Sequence, residues 1–132
     1  MQATQMQSIR AGRTAVTPEV LFSPADQRLV FEGECYPENP LPFFTPILAT
    51  LKRYFETQKP PAFEAEMHVQ YINSASTQGL RSMFALFNEA GGHGTSITVR
   101  WNYDEEDDAI EELGADLVED FHHVQLERCP HG

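Results

Sequence analysis

The sequence predicts a single α/β domain built on a mixed sheet of four to five strands, with about three helices packed mainly on one face. Runs that alternate polar with apolar residues are interleaved with runs whose apolar residues recur every three or four positions, the pattern of strands joined by helical crossovers. Turn-forming residues fall between them at Pro24-Ala25-Asp26-Gln27, Lys59-Pro60-Pro61 and Gly91-Gly92-His93-Gly94. A chain of 132 residues that is 41% hydrophobic, with nine Phe, suffices for one core and not for two.

Residues 1–15 are Gln-, Thr- and Ser-rich without periodicity and read as a flexible tail, so the domain is expected over 16–128. Thr17 to Pro24 is short, apolar in the middle and bounded by prolines, which suits an edge strand. Arg28 to Glu34 follows a turn and is expected to pair with that strand as a hairpin. Beyond the break at Tyr36-Pro37-Glu38-Asn39-Pro40, Phe44, Ile47, Leu48, Leu51, Tyr54 and Phe55 lie at helical spacing, and the helix must end before Lys59-Pro60-Pro61. Phe63 to Tyr71 alternates as a strand. A second helix, beginning near Thr77, repeats Leu80, Met83, Phe84, Phe87 and Ala90. Thr95 to Tyr103 is β-branched or aromatic at most positions and reads as a strand. Ile110, Leu113, Leu117 and Phe121 line a third helix, which Gly114 is expected to bend. A final short strand over Val124–Glu127 and a tail over 129–132 complete the order β-β-α-β-α-β-α-β.

The net charge of −11 disfavours nucleic acid and anionic membranes as partners, since both present negative surfaces. Half of the twenty acids lie between Asp104 and Asp120, as expected of a solvated helix face with an acid-rich first turn. No run is long and apolar enough to span a bilayer, and the amino terminus lacks the plan of a secretory signal, so a cytoplasmic protein is expected. Cys35 and Cys129 are too few for a disulfide framework and read as free thiols. No phosphate loop, dinucleotide turn, HExxH or paired CxxC occurs, and adjacent His122 and His123 point to opposite sides of an extended chain. No enzyme, cofactor or metal is indicated. Trp101 reads as core on a central strand.

The remaining signal is Asn73-Ser74-Ala75-Ser76-Thr77, where the strand ending at Tyr71 hands over to a helix. A helix amino terminus carries unpaired N–H groups and the positive end of the dipole, so it suits an N-cap, a bound anion or an attached phosphate. Four small polar residues exceed what one cap needs.

Tyr71-Ile72-Asn73-Ser74-Ala75-Ser76, followed one helix later by Trp101-Asn102-Tyr103-Asp104-Glu105-Glu106-Asp107-Asp108, resembles the SiaC family of bacterial regulatory phosphoproteins. That family has an aromatic strand ending in Asn-Ser/Thr-Ser-Ser and a later Trp-x-Tyr-Asp with an acidic run. Gly33-Glu34-Cys35-Tyr36-Pro37-Glu38-Asn39 is similar to its Gly-x-Ser-Tyr-Pro-Glu-Asn element. The resemblance implies a STAS-like domain, related to anti-sigma-factor antagonists, whose phosphorylated hydroxyl follows an Asn or Asp at a helix start. That position is Ser74, with Ser76 as the fallback acceptor and Asn73, Ser76 and Thr77 shaping the loop. Ala75 replaces the family's second Ser, and Gln78 stands where a basic residue is frequent. The implied circuit is a partner switch: a kinase phosphorylates the protein, a PP2C-type phosphatase reverses this, and the unphosphorylated form activates a diguanylate cyclase, coupling it to cyclic-di-GMP signalling and biofilm formation. Asp104, Glu105, Glu106, Asp107 and Asp108 are expected on the kinase or effector surface, because parallel strands place them at the same sheet end as Ser74. Two other classes fit the same residues: a small enzyme or ligand-binding domain using the crevice at the strands' carboxyl ends, and an unmodified acidic scaffold.

Overall fold

Three antiparallel strands open the fold: β1 (Ile9–Ala11), β2 (Glu19–Ser23) and β3 (Arg28–Cys35). From β3 on, every connection is a helix. α1 (Leu41–Gln58) leads to β4 (Ala62–Ile72), α2 (Ser74–Gly92) to β5 (Ser96–Asp104), and α3 (Asp108–Glu119) to β6 (Val124–His131). The computed structural model describes residues 7–132. β3 to β6 run parallel, and the sheet order follows the chain from β1 to β6. Each crossover therefore steps in the same direction, and the right-handed preference of such units delivers all three helices to one face.

Burial is accordingly one-sided. Leu29, Phe31, Phe63, Ala65, Met67, Val69, Ile97, Val99 and Trp101 are buried in one core with Phe44, Leu51 and Tyr54 of α1 and Leu80, Met83, Phe84 and Phe87 of α2. The alternate strand positions form an open face, where Glu66 meets Arg28 at 3.6 Å and Arg100 at 3.4 Å. Such solvated pairs contribute less than about 1 kcal/mol each, so the covered face holds the fold together.

Two close approaches fix the helices. A Cβ on Gly79 would stand 2.3 Å from the Phe44 ring, so its absence lets α2 lie tightly on α1. A Cβ on Gly114 would stand 2.5 Å from Trp101 Nε1, and that indole N–H donates to the Ile110 carbonyl at 2.8 Å. α3 continues unbroken through Gly114, which has a packing role against Trp101.

The structure corrects four further expectations. The sheet has six strands rather than four to five. The extra one, β1, comes from the presumed tail: three residues are too few for a periodicity, yet they pair with β2 and are fastened by Arg10 to Glu19 at 3.1 Å. Residues 1–6 of that tail lie outside the described residues. The presumed tail from Cys129 continues β6 to His131, and Pro130 is tolerated because β6 is an edge strand whose outer side needs no donor. The strands and helices thus run from Ile9 to His131. Finally, α2 begins at Ser74 and not near Thr77, because the cap lies earlier than the apolar periodicity shows. Among the described residues no helix is long and apolar enough to cross a membrane.

Candidate functional site

β4 ends at Ile72, and Asn73 turns the chain into α2. Its backbone is extended (φ −84°, ψ 168°), and its side-chain Oδ1 accepts the Ser76 N–H at 2.9 Å, making Asn73 the N-cap. The Asn73 carbonyl accepts both the Thr77 N–H and the Thr77 hydroxyl at 3.0 Å. Asn73 also reaches backwards: its N–H donates to the Cys35 carbonyl at 3.1 Å and its Nδ2 to the Pro37 carbonyl at 3.2 Å. One residue thus joins the end of β3, the following loop and the start of α2.

Ser74 is therefore spared the capping role and stands exposed at the first helical position. Its hydroxyl makes no hydrogen bond within the described residues. The first turn of α2 contains no acid, so an added dianion there would meet the dipole's positive end without a repelling carboxylate on the same turn. Ala75 is exposed beside it. Ser76, the fallback acceptor, is fully buried, and its hydroxyl has no partner in good hydrogen-bond geometry. In this conformation it is sealed from any enzyme, because helical spacing from Asn73 turns it inward. The buried Cys35 thiol lies against it: burial pushes the thiol pKa up, and the Ser76 hydroxyl partly offsets this. A protonated, enclosed Cys35 is a poor nucleophile.

The acidic run begins where β5 ends. In the parallel pairing His68 lies opposite Asn102, so Asp104 lies beyond it at the same end of the sheet as Gln70 and, further on, Ser74. The run divides by role. Asp107 Oδ1 accepts the Ile110 N–H at 3.2 Å and caps α3, and Asp104 Oδ1 accepts the Glu106 N–H at 2.9 Å. Glu105, Glu106 and Asp108 are exposed and carry no such duty. The sequence places Ser74 and this run at one end of the sheet, as the strand pairing does, but does not separate the capping Asp107 and the turn-closing Asp104 from the other three.

A cleft lies at the other end of the sheet. It has a volume of about 530 Å³ and is lined by Lys52, Phe55, Lys59, Leu86, His93 and Thr95, at the amino ends of β4 and β5 and so at the opposite end of the sheet from Ser74. Among the described residues no group of three or more His, Cys, Asp or Glu is placed to hold a metal ion. Trp101 is core, as its position on a central strand predicts.

Sequence reading missed the surroundings of Ser74. Tyr36 and Tyr71 are 37% and 53% exposed and meet edge to face, with ring centroids 5.8 Å apart. Strict alternation from Phe63 puts Tyr71 in the core. The register between β3 and β4 slips after Gly33, however: Gly33 lies opposite Val69 and Glu34 opposite Tyr71, leaving Gln70 unmatched. The slip turns Tyr71 outward and Ile72 towards the core. The visible signal for it is Gly33, whose φ of +133° few other residues adopt.

Comparison with known proteins agrees with this architecture. A family model described as SiaC family regulatory phosphoprotein matches residues 11–131. An uncharacterized protein of Pseudomonas aeruginosa is 26% identical over 115 residues, covering 87% of this chain and 90% of that one. The crystal structure of apo-SiaC from the same organism superposes with a TM-score of 0.83 at 23% identity, covering 96% of this chain and all of that one. A SiaC-containing crystal structure, that of the diguanylate cyclase SiaD in complex with its activator SiaC from Pseudomonas aeruginosa, gives 0.86 at 24% identity over 93% of this chain and 99% of its counterpart.

Proposed function

The chain belongs to the SiaC family of regulatory phosphoproteins, and from that premise we propose that it is a partner switch thrown by phosphorylation of Ser74. It is a regulator and not itself an enzyme. A protein kinase adds the phosphate and a PP2C-type phosphatase removes it. The unphosphorylated form binds and activates a diguanylate cyclase, as the SiaC of Pseudomonas aeruginosa is an activator of SiaD. The partners are proteins, with no nucleic acid and no membrane insertion, and the setting is the bacterial cytoplasm. This reading includes the STAS-like logic in which one hydroxyl at a strand-to-helix junction selects between binding partners.

The observation that carries it is the division of labour at the junction. Asn73 does the capping, so Ser74 keeps an exposed hydroxyl with no structural duty. Phosphorylation adds about −1.5 to −2 charges, and a difference of about 3 kcal/mol between forms would change a partner's affinity more than about a hundredfold. Glu105, Glu106 and Asp108 extend the same end as a charged flank for the kinase or effector. The placement of the 530 Å³ cleft at the far end favours the switch over a ligand site beside Ser74.

Intact-mass measurement of the protein from its native host, before and after PP2C treatment, tests the switch. The expected result is one phosphate, removed by treatment and absent in Ser74→Ala. A chain that never carries phosphorus while its host makes cyclic-di-GMP would leave only an unmodified acidic scaffold.

A further inference from the structure

We infer that the exposed aromatic pair Tyr36–Tyr71 is the surface on which the diguanylate cyclase docks, through an apolar segment edged with basic side chains. The inference rests on the reading of Ser74 given above and adds the surface that reads its state.

Among the described residues the large apolar side chains left exposed are Ile9, Val16, Tyr36, Leu41 and Tyr71, and two of these, Tyr36 and Tyr71, meet each other where β4 leads to Ser74. Tyr71 precedes it by three residues, so the chain limits their separation to about 11 Å. Tyr36 packs edge to face on Tyr71, and its N–H donates to the Val16 carbonyl at 2.8 Å. Leu41, 66% exposed, opens α1 at the end of the same loop. The cluster is tied directly to the phosphorylation loop, because Asn73 Nδ2 holds the Pro37 carbonyl next to Tyr36.

The exposure of Tyr71 is built in and not incidental. A β-strand in regular register would bury it, and the slip at Gly33/Glu34 re-aims it. That slip depends on a glycine at φ +133°, whose Cβ would also stand 3.1 Å from the Arg13 guanidinium and 3.2 Å from Pro18 Cα. Paired aromatic rings in an exposed apolar group are the usual composition of a protein-binding hot spot. The rim identifies the occupant's chemistry: Glu34, opposite Tyr71 in register, and Glu38, two residues past Tyr36, are exposed and form no ion pair within the described residues. Basic side chains on the partner would meet them. A phosphate on Ser74 places a dianion at the edge of this apolar contact, where association would strip its water without replacing it.

The test immobilises the full chain, exposes it to native-host lysate, and measures retained conversion of GTP to cyclic-di-GMP. Wild type treated with phosphatase and Ser74→Ala should both retain the activity. The double variant Tyr36→Ser/Tyr71→Ser should retain more than about tenfold less, with unchanged circular dichroism and unchanged phosphorylation of its Ser74, while Tyr36→Phe/Tyr71→Phe should retain it. If the serine double variant holds the cyclase as well as wild type does, the aromatic pair is not the docking surface although the switch stands. If neither phosphatase-treated wild type nor Ser74→Ala retains cyclase activity, the switch reading fails and this inference falls with it. A double variant that loses both its fold signature and its phosphorylation also overturns the assignment, since the rings would then be structural.

Discussion

Asn73 and Ser74 are neighbours of similar size and polarity, yet their hydrogen bonds assign them opposite roles. Asn73 caps α2 through Oδ1 and ties down the Pro37 carbonyl through Nδ2, so Asn73→Ala removes a cap and a tertiary bond together. The expected cost is about 2 kcal/mol in urea unfolding. Ser74→Ala removes only an exposed, unbonded hydroxyl, and stability should stay within about 0.5 kcal/mol of wild type. If the two substitutions cost the same, Ser74 has a structural duty after all, and its use as a non-phosphorylatable control would be compromised. Ser76 obeys a third rule. Its buried hydroxyl lacks a well-aligned partner, so Ser76→Ala should be neutral or stabilising, and a loss above about 1 kcal/mol would show that the hydroxyl is satisfied in solution.

At the scale of elements, the packing of α3 on β5 rests on the absence of one methyl group. Gly114→Ala places a Cβ 2.5 Å from Trp101 Nε1, so either α3 lifts or the indole rotates and its bond to the Ile110 carbonyl breaks. A loss of about 1–3 kcal/mol with a shifted Trp101 fluorescence maximum is expected. An unshifted spectrum at wild-type stability would mean the helix is looser than its geometry implies. The elements most legible in the sequence were those with sustained periods: the core strands β4 and β5, and the helices α1 and α2, each spanning several repeats of one pattern. β1 was illegible because three residues define no period. The end of β6 was hidden by Pro130, which sequence reasoning takes as a stop and an edge strand admits. That Ser74 and the acidic run share one end of the sheet was legible because parallel strands bring their carboxyl ends together whatever the side chains do. Tyr71 was not, since a register slip reverses the inside and outside of every residue beyond it, and Gly33 is its only local mark. The capping duty of Asn73 was hidden for a related reason: several adjacent residues could have served, and geometry alone chose among them.

At the scale of the whole molecule, charge and burial act together at high pH. Burial raises the pKa of the Cys35 thiol from an ordinary 9.0 and that of the Tyr54 hydroxyl from an ordinary 10.0. The unfolded chain releases these protons first, so the stability the neutral groups contribute is complete below pH 9 and declines as pH rises towards their folded values. Each group in that window adds a slope of up to about 1.4 kcal/mol per pH unit. The chain is already at −11, so further ionisation also increases self-repulsion, which acts in the same direction. Salt separates the two contributions. At 1 M the Debye length is about 3 Å, enough to screen surface repulsion but not the desolvation of an enclosed group. Unfolding free energy measured from pH 7 to 11 should therefore be level to about pH 9 and then fall, with the fall persisting in 1 M salt. Cys35→Ala should make its onset less steep whatever it does to absolute stability. A decline that vanishes in salt would assign alkaline unfolding to surface charge alone and would mean that the Cys35 thiol beneath Ser76 is open to water.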